Sequence, residues 1–209
     1  MHTFLERDIP QFGFNIPSTC LFRFWSLLAH YHGQIWKAAQ AARALNVSES
    51  TARRYVDLLQ DLFMVRLLQP WYANLGKRQV ISPKIYIRDT GLLHSLLGIR
   101  TERELLYHPR SGASWEGFVI EEVIKAITPE ETYFWGTHSG AELDLLIIKG
   151  GKRIGVEGKR VDAPRLTPSM RIAGQNLGLS NLLVIYPGSR VYSLAENVKA
   201  MPLSGLVDY

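Results

Sequence analysis

Residues 140–159 read GAELDLLIIKGGKRIGVEGK, and they organise the C-terminal half of the chain. Two runs of strand-forming residues flank Gly150-Gly151. This pattern predicts a β-hairpin with a two-residue turn, because glycine tolerates positive φ at both turn positions. Counting outward from the turn places Asp144 directly opposite Glu157. The sequence therefore predicts two carboxylates that face each other on neighbouring strands.

Side chains alternate along a strand, so the hairpin is expected to have one polar and one apolar face. The polar face would carry Glu142, Asp144, Glu157 and Lys159. The apolar face, directed to the core, would carry Leu143, Leu145, Ile147, Ile154 and Val156. Like charges directly opposite each other destabilise a sheet, so the Asp144/Glu157 pair predicts a divalent cation, Mg²⁺ or Mn²⁺. Lys159 would reach an oxyanion or an attacking water beside the metal.

The same residues also have a purely structural interpretation. The polar face could simply be solvated, with an exposed acid and lysine pair worth under about 1 kcal/mol. A catalytic interpretation is favoured by the opposed register, by an acid-bearing helix upstream and by the small Gly158 between Glu157 and Lys159. Gly158 would point to the opposite face and let a helix pack closely.

The upstream helix is predicted from residues 114–125, SWEGFVIEEVIK, with Ser114 as its N-cap. An apolar stripe at helical spacing is formed by Trp115, Phe118, Val119, Val123 and Ile124.

Asp144 followed by Glu157-Gly158-Lys159 resembles the active site of the PD-(D/E)xK nuclease superfamily. Enzymes of that superfamily also take an acid from the preceding helix, where Glu116 is the best match and Glu121 and Glu122 are its neighbours. The resemblance implies that Asp144, Glu157 and Glu116 hold the metal and that, together with Lys159, they form the catalytic set.

The composition sets broad limits on function. The chain has 209 residues, 46% hydrophobic and 21% charged, with a net charge of +5, which suits a polyanionic partner. Its single cysteine, Cys20, excludes an intramolecular disulfide and a CxxC metal site. There is no signal segment or membrane-spanning apolar run and no P-loop, so we expect a cytoplasmic protein without a membrane partner or its own ATP site.

Residues 36–65 predict a helix-turn-helix. One helix ends near Leu45, Asn46 suits a left-handed turn position, and Ser48 caps the next helix. The second helix would pack through Val47, Ala52, Val56, Leu59 and Leu62. Its outward residues would be Glu49, Ser50, Arg53, Arg54 and Asp57.

Two short alternating runs, residues 65–68 and 84–88, predict the strands of a wing, which would make this unit a winged helix. In a DNA-binding version, Arg53 and Arg54 would meet a groove or its phosphates, and Lys77 and Arg78 would contact the backbone from the wing. Winged helices also serve as protein-docking modules, and adjacent arginines are often a solvated helix face.

Together these patterns predict an α+β or α/β chain with two domains. Residues 1–107 would form a helical segment plus the winged helix-turn-helix, and residues 108–209 a restriction-endonuclease-like αβββαβ domain. In that second domain, a strand at 132–135 would precede the hairpin, and a crossover helix at 168–177 would lead to a buried strand at 181–186.

Five stretches resemble, in order, the C-terminal portion of a family of prokaryotic AAA-type ATPases: FLERDI at 4–9, NLGKR at 74–78, SPKIY at 82–86, DTGLL at 89–93 and SGAELD at 139–144. In that family an ATPase domain is followed by a winged helix and a PD-(D/E)xK-like domain. The resemblance implies an ATPase domain that this chain lacks. Family members usually carry an aliphatic residue where this chain has Gly158, a difference that keeps all three polar groups.

Three hypotheses follow. The first is a DNA-binding module with a magnesium-dependent nuclease site that hydrolyses phosphodiester bonds. The second is a non-catalytic DNA- or protein-binding module that serves an ATPase and retains a degenerate nuclease fold. The third is a transcriptional regulator that acts through its winged helix alone.

Overall fold

The computed structural model describes residues 6–7, 9–11, 16–71, 82–137 and 140–208. Its helices are α1 (Ile9–Gln11), α2 (Ser18–Tyr31), α3 (Ala38–Leu45), α4 (Glu49–Asp61), α5 (Thr90–Leu96), α6 (Glu102–Tyr107), α7 (Ser111–Ile127) and α8 (Pro168–Leu177). Its strands are β1 (Gln34–Ile35), β2 (Val65–Leu68), β3 (Lys84–Ile87), β4 (Glu131–Gly136), β5 (Glu142–Lys149), β6 (Lys152–Gly158), β7 (Asn181–Ile185), β8 (Tyr192–Ala195) and β9 (Val198–Met201). A 3-10 helix spans Leu203–Asp208. The chain is a mixed α+β protein with two sheets.

Helices α3 and α4 meet at the predicted turn. Asn46 has left-handed backbone angles, φ 54° and ψ 49°, a region in which asparagine is enriched. Ser48 caps α4, because its Oγ accepts a hydrogen bond from the Thr51 amide at 3.0 Å. The predicted inner residues Ala52, Val56 and Leu59 are buried, and Val47 and Leu62 are partly buried. The predicted outward residues Glu49, Ser50, Arg53, Arg54 and Asp57 are all exposed.

The N-terminal half, α1 to α6, contains a three-stranded sheet of order β1-β3-β2. The two strands predicted for residues 65–68 and 84–88 are β2 and β3, which pair antiparallel with Val65 opposite Ile87. The central strand β3 contributes to two cores. Ile85 and Ile87 belong to the core of the N-terminal half, whereas Tyr86 belongs to the core beneath α7. Strand β3 is therefore shared by both halves of the chain.

The C-terminal half, α7 onward, follows the predicted order of helix, three strands, helix and strand. Its six-stranded sheet has the order β4-β5-β6-β7-β9-β8. Strands β4, β5 and β6 are antiparallel, whereas β6 and β7 are parallel, which requires a crossover connection that α8 provides. Helix α7 packs on one face of the sheet and α8 on the other. Strands β8 and β9 and the 3-10 helix lie beyond the predicted elements.

The predicted start of α7 at Ser114 is wrong. The helix begins one turn earlier, at Ser111, with Arg110 as the N-cap residue. The small residues Gly112 and Ala113 continue the helix rather than precede it. Ser114 is buried within it, and its hydroxyl oxygen lies 2.8 Å from His94 Nε2. This hydroxyl therefore joins α7 to α5 and does not cap α7.

Buried polar contacts join the two halves. His32, which follows α2, accepts a hydrogen bond at Nδ1 from the Ile87 amide (3.0 Å), and its Nε2 donates to the Ala113 carbonyl oxygen (3.1 Å). The Ile87 amide can only donate, so the neutral ring carries its proton on Nε2. Nearby, Arg66 and Arg88 both donate to the Glu121 carboxylate. These contacts hold α2 and β3 against α7.

We expect the stability of the chain to fall on mild acidification because of His32. Burial lowers the pKa of His32 from 6.5 to about 4. The unfolded chain therefore binds more protons than the folded chain between these values. The contribution of His32 to the free energy of unfolding should be constant above about pH 6.5 and should decrease by about 3 kcal/mol as the pH drops toward 4. Urea unfolding measured across this pH range tests the prediction.

The matched control is His30→Gln, at an exposed position of α2. The stability advantage of the wild type over His32→Gln should shrink by about 3 kcal/mol as the pH drops from 6.5 toward 4, because only the wild type carries the buried imidazole. The difference between the wild type and His30→Gln should not shrink in this way. An unchanged pH dependence in His32→Gln would show that another group is responsible.

Candidate active site

The hairpin of β5 and β6 turns at Gly150 and Gly151, which have φ values of 55° and 71°. The cross-strand pairs from this turn outward have the predicted register and end at Leu145 opposite Val156. Asp144 and Glu157 occupy the next positions on the two strands. The hairpin register therefore brings these two carboxylates together.

Beyond the last ladder pair, the carboxylates themselves bind the opposing strand. Asp144 Oδ2 accepts a hydrogen bond from the Gly158 amide at 2.9 Å. The Asp144 amide in turn donates to Glu157 Oε2 at 3.4 Å. Lys159 Nζ donates to the other oxygen of Glu157, Oε1, at 2.7 Å. Both acids are therefore held in place by the end of the hairpin.

The predicted apolar face of the hairpin is wrong at Leu143. Leu145 and Ile147 pack in the core beneath α7, but Leu143 packs in the core beneath α8, on the other side of the sheet. The pairing between β4 and β5 is irregular, because Trp135 lies opposite Leu143 whereas Tyr133 lies opposite Leu146. One extra residue of β5 is thus accommodated as a bulge, which breaks the alternation of side chains. The extra residue lies within residues 144–145, so Asp144 is part of the bulge.

Burial makes ionisation of both acids unfavourable. Asp144 is 7% exposed and Glu157 is 3% exposed. Burial raises the pKa of Asp144 well above its ordinary value, with further increases from Glu116 and Glu157, against the opposing effect of Lys84. Burial also raises the pKa of Glu157, although Lys159 opposes this. A cation would relieve both carboxylates by favouring their charged forms.

Glu116 approaches the hairpin from α7. The helix packs directly over Gly158, where an added Cβ would lie 3.5 Å from Glu116 Cα and 3.6 Å from Val119 Cβ, so the predicted close packing at Gly158 is confirmed. Glu116 Oε1 accepts a hydrogen bond from the Tyr86 hydroxyl at 2.5 Å. The neighbouring Glu121 has a different role, because it binds Arg66 and Arg88.

Lys84 was not predicted as a site residue, yet it lies among the acids. It belongs to β3, is 6% exposed, and places Nζ 3.4 Å from Glu116 Oε1 and 3.6 Å from Glu142 Oε2. Burial opposes its charge, but Glu116, Glu142 and Asp144 raise the pKa of Lys84 above its ordinary value. The sequence indicated this position only through the alternation of side chains in KIYI, residues 84–87, which places Lys84 and Tyr86 on the same face of the strand.

The site thus contains four acids, Glu116, Glu142, Asp144 and Glu157, which we call the acid cluster, and two lysines, Lys84 and Lys159. Carboxylate oxygens are the ligands that Mg²⁺ prefers, so the chemistry of the cluster suits a divalent ion. Asp144 and Glu157 are the residues best placed to hold one. Within the described part of the chain, no three acidic, histidine or cysteine side chains converge as a ready-made metal site. Glu116 is held by Tyr86 and Lys84 instead.

The predicted nucleic-acid-binding residues lie in the N-terminal half. Arg53 and Arg54 are exposed on α4, where Arg53 makes a long, exposed ion pair with Glu49, at 3.8 Å. Lys77 and Arg78 lie outside the described residues. Arg53 and Arg54 are therefore available for an anionic partner.

Two family models match different parts of the chain. Residues 1–103 match the family model "Domain of unknown function (DUF8612)", and residues 111–206 match "Domain of unknown function (DUF4143)". The predicted boundary after residue 107 falls between the two matches and stays a prediction. No solved structure matches the chain.

Two curated relatives are uncharacterized proteins of Mycobacterium bovis and Mycobacterium tuberculosis. Each is 50% identical to this chain over 200 residues, which is 96% of this chain and 45% of the relative. The chain therefore spans less than half the length of these relatives.

None of the described helices has both the length and the apolar character needed to cross a bilayer.

Proposed function

We propose that this chain is a DNA-binding module with a magnesium-dependent nuclease site of the PD-(D/E)xK type. The observation that carries the proposal is the pair of buried carboxylates, Asp144 and Glu157, on adjacent strands, with the Lys159 ammonium 2.7 Å from Glu157. Like charges in this position need a compensating cation. The order of α7, β4 to β6, α8 and β7 also agrees with the αβββαβ core expected for such a domain.

In this proposal the protein groups have distinct roles. Asp144 and Glu157 would hold the metal through carboxylate oxygens, with Glu116 beside them. Bound Mg²⁺ or Mn²⁺ would supply Lewis-acid stabilisation of negative charge on the scissile phosphate. Lys159 would orient the attacking water and stabilise charge that develops on the phosphate oxygens. The substrate is a phosphodiester of DNA.

The proposal predicts that Mg²⁺ or Mn²⁺ stabilises the folded chain. An ion that binds only the folded state at about ten times its Kd adds about 1.4 kcal/mol to the free energy of unfolding. For a chain of this size, that corresponds to a rise in Tm of about 3 °C. The Tm should be measured during a titration with each metal chloride.

Two variants make this titration specific. Asp144→Asn keeps the size of the side chain but removes its charge, and it should abolish the metal-dependent rise in Tm. Glu122→Gln, at a partly exposed position on α7 outside the acid cluster, should retain it. An equal rise in the wild type and in Asp144→Asn would place the bound ion elsewhere.

The DNA-binding part of the proposal is assigned to a winged helix formed by α3, α4, β2 and β3. It is supported by the exposed Arg53 and Arg54 on the second helix of the helix-turn-helix. If both arginines neutralise phosphates, the double alanine variant should reduce the slope of log K against log salt by about 2. Fluorescence anisotropy with labelled duplex DNA at several salt concentrations measures this slope.

Arg103→Ala provides the control, because Arg103 is an exposed arginine on α6. It should leave the slope unchanged. An equal slope in the wild type and the double variant would show that these two arginines of α4 do not contact DNA phosphates.

A second candidate is a non-catalytic binding or assembly module that serves an ATPase. It is favoured by one specific observation: two acids of the cluster already have partners within the chain. Lys84 and Tyr86 bind Glu116, and Lys159 binds Glu157. The resemblance to AAA-type ATPases and the greater length of the relatives support an ATPase partner in either case. Absence of metal binding together with retained DNA or protein binding would favour this candidate.

A further inference from the structure

The cation nearest to Glu116 and Glu142 comes from the other half of the molecule. Lys84 lies on β3, which is the central strand of the N-terminal sheet, whereas Glu116 and Glu142 lie on α7 and β5. The ammonium lies 5.5 Å from the centre of the Phe134 ring, within the range of a cation–π contact. Lys84, which is only 6% exposed, therefore belongs to the N-terminal half but contacts acids of the C-terminal half.

The charges of the cluster are unbalanced. When ionised, Glu116, Glu142, Asp144 and Glu157 carry four negative charges, against two positive charges on Lys84 and Lys159. Lys159 is bound to Glu157 at 2.7 Å, which leaves Lys84 to face the other three acids. Among the described side chains, one ammonium does not balance these three acids when all of them are ionised, so a divalent ion would favour their ionised forms.

The contacts of Lys84 are loose. Its distances of 3.4 and 3.6 Å to the two glutamates exceed the 2.7–2.9 Å of a strong charge-assisted hydrogen bond. Lysine is a point charge on a flexible four-carbon chain, so its ammonium can leave without loss of a fixed bidentate geometry. By contrast, other groups of β3 make firm hydrogen bonds, because the Ile87 amide donates to His32 Nδ1 and the Tyr86 hydroxyl donates to Glu116.

We propose that the Lys84 ammonium, which lies beside Glu116 and Glu142, opposes by its charge the binding of a divalent ion to the acid cluster. The metal affinity of the cluster then depends on a residue that the N-terminal half supplies. This inference rests on the proposed function, because it concerns the same acids. It assigns to Lys84 an effect on metal affinity and not a role in the chemical step.

The test is Mn²⁺ affinity, measured on the full chain by electron paramagnetic resonance of the free ion. Lys84→Met and Lys84→Gln both remove the charge, and each should bind Mn²⁺ about tenfold or more tightly than the wild type, because a nearby positive charge no longer opposes the ion. Lys84→Arg keeps the charge and should not bind more tightly. Lys152→Met removes an exposed lysine from the same hairpin and should leave the affinity unchanged.

The Tm without metal shows whether the Met variant folds. If it does not fold, Lys84→Gln replaces it in the test, because glutamine keeps a polar group that can bind Glu116. Unchanged or weaker Mn²⁺ binding in Lys84→Gln, with binding still lost in Asp144→Asn, would overturn the opposing effect of Lys84 and leave the proposed metal site standing. Mn²⁺ binding that is insensitive to Asp144→Asn, or absent from every variant and the wild type, would overturn the proposed function and this inference with it.

Discussion

Replacing either Asp144 or Lys159 by alanine is expected to reduce magnesium-dependent cleavage of plasmid DNA by about a thousandfold or more. Asp144 is one of the two buried acids proposed to hold the metal, so its replacement removes one of these two ligands. Lys159 is the ammonium that binds Glu157 and would face the phosphate. Cleavage should be followed as the conversion of supercoiled plasmid to nicked and linear forms, with Mg²⁺ and with EDTA.

The control for this experiment is Lys152→Ala, which removes a lysine from the exposed turn end of β6. Its cleavage rate should equal that of the wild type. Because Asp144 is buried, its alanine variant also needs a Tm measurement to show that it is folded. Wild-type cleavage in both folded variants would exclude this site as the catalytic centre.

The second large effect is expected for Gly117→Ala, which should destabilise the chain by about 2 kcal/mol or more. An added Cβ at this position of α7 would lie 2.4 Å from His32 Nε2 and 2.7 Å from His32 Cε1. The ring cannot move aside freely, because it is bound to the Ile87 amide and to the Ala113 carbonyl. Either His32 must lose these buried hydrogen bonds or α7 must shift away from the ring. Chemical denaturation gives the free energy of unfolding.

Gly174→Ala is the matched control, because Gly174 lies within α8 and an added Cβ there has no described atom within 4 Å. Alanine is the better helix former, so this variant should be more stable by about 0.5–1 kcal/mol. If Gly117→Ala proved as stable as Gly174→Ala, the close contact between His32 and α7 would be refuted.

The parts of the fold that sequence reasoning predicted correctly depend on residues close together in the chain. The Gly150-Gly151 turn specifies the hairpin register by itself, since only the count outward from the turn is needed. Asn46 and Ser48 act on backbone groups within a few residues, so their roles at the turn and the cap of α4 were predictable. The positions of Asp144 and Glu157 follow from the same local signals.

The errors arose where distant segments decide the structure. The bulge at residues 144–145 depends on the pairing of β5 with β4, so the alternation that placed Leu143 on the same face as Leu145 could not reveal it. Ser114 does not cap α7, because the helix begins at Ser111, and its hydroxyl oxygen instead lies within hydrogen-bond distance of His94 on another helix.

The role of Lys84 was hidden for the same reason. Lys84 and Tyr86 form hydrogen bonds with Glu116, which is 32 and 30 residues away in the sequence, and His32 forms one with Ala113, which is 81 residues away. Alternation in β3 showed that Lys84 and Tyr86 share a face, but it did not show that this face is covered by the C-terminal half. The acid cluster was therefore predicted without the lysine that lies within it.

The most direct test of the central claim is anomalous diffraction from crystals of the wild-type chain soaked in Mn²⁺. The proposed site predicts an anomalous peak within bonding distance of the carboxylate oxygens of Asp144 and Glu157. Peaks confined to other positions, with none at these two carboxylates, would contradict the assignment of the acid cluster as a metal-dependent active site.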